Sequence, residues 1–554
     1  MVSTKVLSCK FGERVELRAS LQGSVCSLLL LLGVFVCASS PFANAGTCPS
    51  GNNTIDPDGT PQTIANVGVT GPITGAITSC FYASQATGAD TNTGADEAHP
   101  WKHVPGMSGC TGTCGSHSPA AGEAFILRGG DTWTATADMN GLISLWSGTS
   151  THPIYWGGGD RTWFNSAVCG ASWCRPIFNA NSVTTNNMFH MVNESWNIMD
   201  NIEVKGMRND INGCQNSGGA HIRCTQLYFH GWSHTGNSNN VGFFAQCGAA
   251  SMIDHNVMDG ADSSKNTMNG VYSYCAGTVQ YNYFNYVVSG ILASVDNVNN
   301  NIIENSIDSI DGDHCNGIFT FGPQSGSTLY VFNNMTRKMQ CSGGVNFWLV
   351  GNSGGCAGCT SYAYNNIIDA SAVSGNVFNI GGHPTDGNTG TYTVYNNTII
   401  ANNGGTCMGN GEPSPRSTTN FGNNHCIGGS TLCDATGTTC NNMGGNILQA
   451  ISVANGQGYT STESLEYSPA SGCTSSTCST LQAGVNLTSS CSGNMASLCN
   501  AITYPTYYSS SHTMGMGAVK GRPTSGAWDI GAYQYASASG SLLNPPTGLA
   551  AFVQ

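Results

Sequence analysis

The sequence predicts an all-β protein wound as a parallel β-helix, and three observations carry that prediction. First, a short phrase built on Asn recurs along the middle of the chain. It reads Asn201-Ile202, His255-Asn256-Val257, Tyr281-Asn282-Tyr283, Glu304-Asn305-Ser306, Asn333-Asn334-Met335, Asn365-Asn366-Ile367, Asn396-Asn397-Thr398 and Asn423-Asn424-His425, with Gln226 filling one slot. Its steps lie in the twenties and low thirties, the period of a solenoid with variable insertions. Second, the runs between copies are short, β-rich and punctuated by Gly and Asn, which is strand grammar. Third, 40% of residues are apolar and only 8% charged, so the chain can bury a core despite its 73 Gly.

The elements follow in order. Residues 1–45 read as a signal peptide: a basic leader, the apolar run 28–36, and the small-residue site Ala43-Asn44-Ala45. That run is too short to span a membrane as a helix, and no second stretch of spanning length exists. Residues 46–80 are an irregular Gly/Thr/Pro-rich segment, and 81–450 are the solenoid. Residues 451–535 are Cys/Ser/Thr-rich loops over the solenoid end, closed by a capping strand. Residues 536–554 are a small-residue linker in which Pro545-Pro546-Thr547-Gly548-Leu549 looks like the opening of a fibronectin-type module.

Cysteine usage fits a secreted chain. Of 25 Cys, three lie in the leader. Many of the rest are close pairs: Cys110/Cys114, Cys169/Cys174, Cys356/Cys359, Cys433/Cys440, Cys473/Cys478 and Cys491/Cys499. These predict local disulfides that staple loops. Cys356-Ala357-Gly358-Cys359 also has zinc-ligand spacing, but no second pair of ligands follows it, so disulfides are preferred. A net charge of −13 argues against sequence-independent nucleic-acid binding, which needs a basic footprint.

Within the solenoid, an Asn repeated at an inward bend can bond to the Asn above and below it. The series is therefore read as a structural ladder, not as catalytic machinery.

Several phrases outside the repeat carry a family resemblance. Phe81-Tyr82-Ala83-Ser84, the turn Thr87-Gly88-Ala89-Asp90-Thr91-Asn92-Thr93-Gly94, Pro100-Trp101-Lys102 and Phe125-Ile126-Leu127-Arg128-Gly129-Gly130-Asp131-Thr132-Trp133 stand near the start. Gly526-Ala527-Trp528-Asp529-Ile530-Gly531-Ala532-Tyr533-Gln534-Tyr535 stands near the end. The arrangement resembles secreted bacterial right-handed parallel β-helix proteins of the pectate-lyase-like superfamily, over about Phe81 to Tyr535. The resemblance implies a single-stranded right-handed β-helix with loop-rich, disulfide-stapled ends. It is specific for the fold and says little about activity: the paired-Asp and arginine-x-lysine signatures of polygalacturonases are absent.

With the rungs aligned on the Asn phrase, the segments that follow it stack along one edge of the solenoid. They include His230-Gly231-Trp232-Ser233-His234, Asp259 to Lys265, the short Asn285 to Ser289, Asp308 to His314, and Thr336-Arg337-Lys338. In a chain with so few charges this edge gathers His, Asp, Lys and Arg, and longer connections on one face of a repeat protein often form its binding face. Three chemistries fit. In a calcium-assisted lyase, Asp308, Asp311 and Asp313 hold Ca²⁺, Lys265 removes the proton next to a uronate carboxylate, and Arg337 takes the developing charge. In a glycoside hydrolase, two of the Asp act as acid and base or nucleophile. In an epimerase, Asp313 and His314 work with a second acid or base. The expectation is a secreted monomer acting on or binding extracellular polysaccharide; the rival is a non-catalytic, adhesin-like or structural scaffold.

Overall fold

The computed structural model describes residues 46–49, 54–55, 61–62 and 75–535, apart from 184–186, 217, 236–241, 274–276, 324–327, 342–346, 350–357, 371–376, 381–389, 402–403, 410–416, 437, 460–467, 471, 504 and 516. The leader 1–45, the 536–554 linker with its fibronectin-like opening, most of 46–80 and the Cys356 half of the C-x-x-C pair lie outside the described residues.

Three long parallel sheets dominate, of 13, 12 and 11 strands. The first runs from Ser79–Ala83 to Thr438–Asn442, the second from Thr132–Thr134 to Ile447–Gln449, and the third from Leu142–Ser144 to Thr431–Cys433. The chain visits them in turn. Thr278–Gln280 of the first sheet leads to Tyr283–Asn285 of the second and Ser289–Ala293 of the third, and Asn297–Asn299 then pairs beside Thr278–Gln280. Strands that are parallel throughout require a crossover per coil, and such crossovers wind right-handed. The chain is a right-handed parallel β-helix.

Inward positions stack in register from coil to coil. Val279, Val298, Val331, Ala363 and Val394 follow one another up the first sheet, all fully buried. No coil buries this face alone; each becomes a core only when its neighbours stack on it. At the start of the coil, Trp101 lies flat on Phe81 with ring centroids 4.8 Å apart, covering an otherwise open end.

The Asn repeat divides its work between two residues. At the two-residue bend from the first sheet to the second, the first residue takes the left-handed conformation, with φ near +55° at Asn300, Asn333, Asn365, Asn396 and Asn423. Asn tolerates that region better than most residues. The second residue points inward and builds the ladder. The amide of Asn334 donates to Asn366 Oδ1 (3.1 Å) and to the Val298 carbonyl (2.9 Å), and its backbone N–H donates to the same Oδ1 (3.0 Å). The pattern continues through Asn256, Asn282, Asn301, Asn334, Asn366, Asn397, Asn424 and Asn446.

This corrects the predicted register in two places. The rung assigned to Asn305 is held by Asn301, while Asn305 sits one strand later and donates to Asn285 Oδ1. Asn201 and Gln226 belong to the left-handed column, with φ of 53° and 54°, and the inward places beside them are taken by Ile202 and Leu227. A one-slot error was easy because both columns favour Asn.

The second correction concerns the tail. Its end does not cover the last rung; it runs back along the outer face of the second sheet and the neighbouring bend. Tyr533 packs with Met335, Ile367, Ile400 and Ile427, and Trp528 with Tyr364 and Tyr395. The antiparallel hairpin of Thr506–Tyr508 and Thr513–Gly515 continues the cover: Tyr507 stacks on Tyr283 and His512 on Tyr228. The cause is in the strands. The second sheet is apolar on its outward face as well as its inward one, so it needs a cover on both. The outward first Asn of each pair supplies anchors: Asn365 Nδ2 donates to the Asn500 carbonyl (2.8 Å), and Asn423 Nδ2 to the Val485 carbonyl (2.8 Å).

The predicted local disulfides Cys110–Cys114, Cys169–Cys174, Cys433–Cys440, Cys473–Cys478 and Cys491–Cys499 are present. Three longer ones, Cys48–Cys80, Cys315–Cys341 and Cys407–Cys426, join them. Among the described residues no helix is long and apolar enough to cross a membrane.

Candidate functional site

The connections from the second sheet to the third stack as a ledge, and the third-sheet strands that follow them are Gly242–Ala245, Asn269–Ser273, Ser289–Ala293 and Asn316–Thr320. Along the outward face of that sheet Tyr272, Leu292 and Phe319 stand in register on successive coils, each partly exposed. An aromatic and aliphatic strip bordered by a polar ledge is the usual composition of a ligand groove.

The ledge is laced together. The Trp232 indole donates to the Ser264 carbonyl (2.8 Å), and the His234 backbone N–H donates to Ser264 Oγ (3.0 Å). On the other side, the Thr235 N–H and hydroxyl both donate to Asn209 Oδ1, at 2.7 and 2.9 Å. The backbone on either side of His234 is thus fixed from the coils before and after it.

Its ring reaches farther. His234 Nε2 lies 3.1 Å from both carboxylate oxygens of Asp311. Asp311 belongs to the loop that follows Ile302–Glu304, and between the two loops lie the connection after Val257–Asp259 and the short one after Tyr283–Asn285. The 305–315 loop reaches back over both. The loop is shaped from within: the Asp311 N–H donates to Ser309 Oγ (2.9 Å), the Cys315 N–H to Asp308 Oδ1 (3.0 Å), and Gly312 takes φ of 97° at the tip. The Cys315–Cys341 bridge ties its end to the next coil.

Asp313 and His314 flank this pair in sequence. Burial, followed by the charge of Asp311, raises the Asp313 carboxyl above its ordinary range, and His314 opposes the rise. The structure therefore brings Asp311, Asp313 and His314 together and adds His234, which the sequence placed on the edge without giving it a role. Its legible signal was a His at the end of a His-Gly-Trp-Ser-His phrase in a charge-poor chain.

The other predicted site residues are engaged elsewhere. The Lys265 ammonium lies over the Tyr286 ring, 4.1 Å from its centroid, a cation–π contact within the ledge. Arg337 is on the outer face of the second sheet, where its Nε donates to Glu304 Oε2 at 2.6 Å. Glu304 in turn accepts from the Tyr283 hydroxyl, and Tyr283 lies beneath Tyr507 of the hairpin.

The carboxylates Asp308, Asp311 and Asp313 do not fit a calcium cage as they stand. Calcium needs six to eight oxygen ligands, whereas Asp308 caps the Cys315 amide and Asp311 faces His234. Among the described residues, the one group of possible metal-ligating atoms within 4.8 Å of one another is Asp308 with Cys315 and Cys341, and those two sulfurs are joined in a disulfide.

A second charged cluster lies on the outer side of the ledge. His230 Nδ1 contacts Asp262 Oδ2 (2.8 Å) and its Nε2 contacts Glu203 Oε1 (3.1 Å). Burial works against a charge on this ring, but the hydrogen bonds to the two carboxylates outweigh it and raise the imidazole above its ordinary value. With both nitrogens bonded to carboxylates, His230 is a held cation and not a free base.

Fold and ledge define a parallel β-helix protein with a His–Asp pair on the ledge that leads into its third sheet. No protein-family model matches the chain, and no curated protein matches it. Several solved structures are similar. A pectate lyase, Pel9A, is 14% identical with a TM-score of 0.39, over 82% of this chain and 96% of that one. A lacto-N-biosidase from Eubacterium ramulus is 11% identical with a TM-score of 0.37, over 67% of this chain and 68% of its own. A family 6 polysaccharide lyase from Pseudopedobacter saltans is 11% identical with a TM-score of 0.36, over 64% of this chain and 93% of its own. Likeness at this level leaves the activity of the present chain to its own residues.

Proposed function

We propose that this protein binds an extracellular polysaccharide along the outer face of the third sheet and cleaves it at the ledge, by a lyase-type elimination. The observation that carries the reading is the His234–Asp311 pair, formed across two intervening coils on the ledge that leads into the strands of Tyr272, Leu292 and Phe319. A carboxylate on one side of an imidazole orients it and stabilises its protonated form, which is what a general base requires.

On this reading the sugar chain lies across the strip, its apolar ring faces against Tyr272 and Phe319. His234 takes the proton from the carbon next to a uronate carboxylate. The electron pair left behind forms the new double bond as the glycosidic C–O bond breaks. Asp313, whose carboxyl is raised above its ordinary range by burial and the charge of Asp311, gives a proton to the departing oxygen. Lys265 is the cation on the ledge suited to offset the sugar carboxylate. Arg337, spent on Glu304, is left out of the step, and no step is routed through Ca²⁺.

The test is incubation of the purified protein with a panel of uronate-containing and neutral polysaccharides. The expected product carries an unsaturated sugar end that absorbs in the ultraviolet. New reducing ends without that absorbance would replace elimination by hydrolysis at the same ledge. Binding without any cleavage, across the whole panel, would sink the catalytic reading in favour of a carbohydrate-binding scaffold.

A further inference from the structure

Among the described residues, the cysteines outside disulfides are Cys214 and Cys224. We infer that these two are joined by a disulfide in the mature, oxidised protein, forming a core-crossing bridge within a single coil.

The placement is specific. Cys214 opens the third-sheet strand Cys214–Asn216, stacking between Phe189 and Phe244, and points inward. Cys224 lies in the first-sheet strand Ile222–Thr225, in register with Met199 and Ile253, and also points inward. The two strands are consecutive, so one coil contributes a sulfur from each wall of the same interior. The sulfurs lie 2.8 Å apart. Both residues are almost fully buried, at 2% and 1% exposure, in the main hydrophobic core. A covalent S–S bond is about 2.04 Å long, so closing it needs a shift of under an ångström and no rearrangement of the strands.

The same device already exists elsewhere in the coil. Cys407, on a third-sheet strand, is bonded to Cys426, on a second-sheet strand, and both are fully buried in the same core. A chain that oxidises one buried pair of facing cysteines has met conditions that oxidise another. The step is a thiol–disulfide exchange with a disulfide-bearing oxidant of the compartment. The two thiols lose two protons and two electrons, their S–H bonds give way to one S–S bond, and the oxidant's disulfide becomes a dithiol.

Exchange runs through the thiolate, and burial pushes the Cys224 thiol well above its ordinary value. The core that buries both sulfurs shields the closed bond from reductants.

The experiment uses the full chain exported into an oxidising compartment. The protein is unfolded in denaturant with excess N-ethylmaleimide and no reductant, digested, and mapped by mass spectrometry. The expected result is a linked Cys214–Cys224 species carrying no label, with each cysteine gaining one label only after reduction. Full labelling of both before reduction would overturn the proposal, as would a link from either one to a different cysteine. In a Cys214→Ala variant, Cys224 should label completely in denaturant while the remaining bridges keep their partners. If that variant fails to fold, the wild-type map decides alone.

Discussion

His234 and Asp311 face each other across two coils to which neither belongs, with Nε2 3.1 Å from each carboxylate oxygen. A contact made over two intervening coils depends on loop lengths: the 286–288 connection is short, and the 305–315 loop is long enough to reach back. Such an arrangement holds an imidazole against an orienting carboxylate at the ledge, as a general base requires.

The first prediction follows. His234→Ala and Asp311→Asn should each lower turnover of the cleaved polysaccharide by about 10²-fold or more, the usual size of a general-base contribution. Both side chains lie at the surface end of the ledge, 29% and 12% exposed, so the thermal midpoint should stay close to wild type. Lys265→Ala should act mainly on KM, through lost attraction for the sugar carboxylate. Unchanged kcat in both His234→Ala and Asp311→Asn would remove the pair from the mechanism.

The ladder gives a test of register. Asn334→Leu removes an amide that bonds to Asn366 Oδ1 and the Val298 carbonyl, and it takes Oδ1 away from the Asn301 backbone N–H and from one of the two Asn301 amide bonds, the other going to the Val279 carbonyl. Buried polar groups left unpaired cost roughly 1–3 kcal/mol each, so the loss should reach about 3 kcal/mol or more in urea unfolding. Asn305→Gly keeps the positive φ and breaks a single part-buried bond to Asn285, so its cost should stay near 1 kcal/mol. Equal costs for the two would put Asn305 back on the ladder.

These two sites mark what the sequence makes legible. Repeat spacing and strand grammar were enough for the parallel coil, because every coil solves the same packing problem with the same residue types. The ledge was legible for the same reason: alignment of repeats places loops beside loops. The slip at Asn305 has a simple cause: Asn also takes a left-handed position one strand later, after Ile302–Glu304, with φ of 56°. The reach of Asp311 to His234 was not legible, because it depends on how a loop folds over its neighbour, and no period encodes that. The path of the tail was hidden too. Outward residues such as Tyr283, Ile302 and Met335 announce that the second sheet needs a cover but not which segment supplies it.

That cover can be tested at Tyr507, whose ring lies 3.9 Å from that of Tyr283 and whose hydroxyl donates to Asp259 Oδ2 at 3.1 Å. Stacked aromatic pairs contribute about 0.5–1.5 kcal/mol beyond their buried area. Tyr507→Ala should therefore destabilise by about 2 kcal/mol, with hydrogen-exchange protection lost first in the hairpin of Thr506–Tyr508 and Thr513–Gly515. Protection lost evenly through the three parallel sheets would mean that the hairpin is not a separable cover.

The last prediction concerns acid. His425 is fully buried in the second sheet, with its Nε2 2.7 Å from Gln449 Oε1 and its ring edge-on to Tyr459. Burial lowers its pKa from 6.5 to about 4, with the Gln449 contact opposing the shift. The folded state thus prefers the neutral ring. The resulting stability is fully present above pH 6.5 and is lost as the pH falls toward 4. A shift of that size corresponds to on the order of 3 kcal/mol at its full extent. His230 has the opposite sign: its pKa is raised, so its contribution is present below pH 6.5 and is lost as the pH climbs through the folded value. Comparing chemical unfolding of wild type and His425→Asn between pH 7 and 4 isolates the buried ring. The variant should start less stable and lose less on acidification, so the two curves converge near pH 4. Parallel curves would show that His425 does not sense acid in the folded coil.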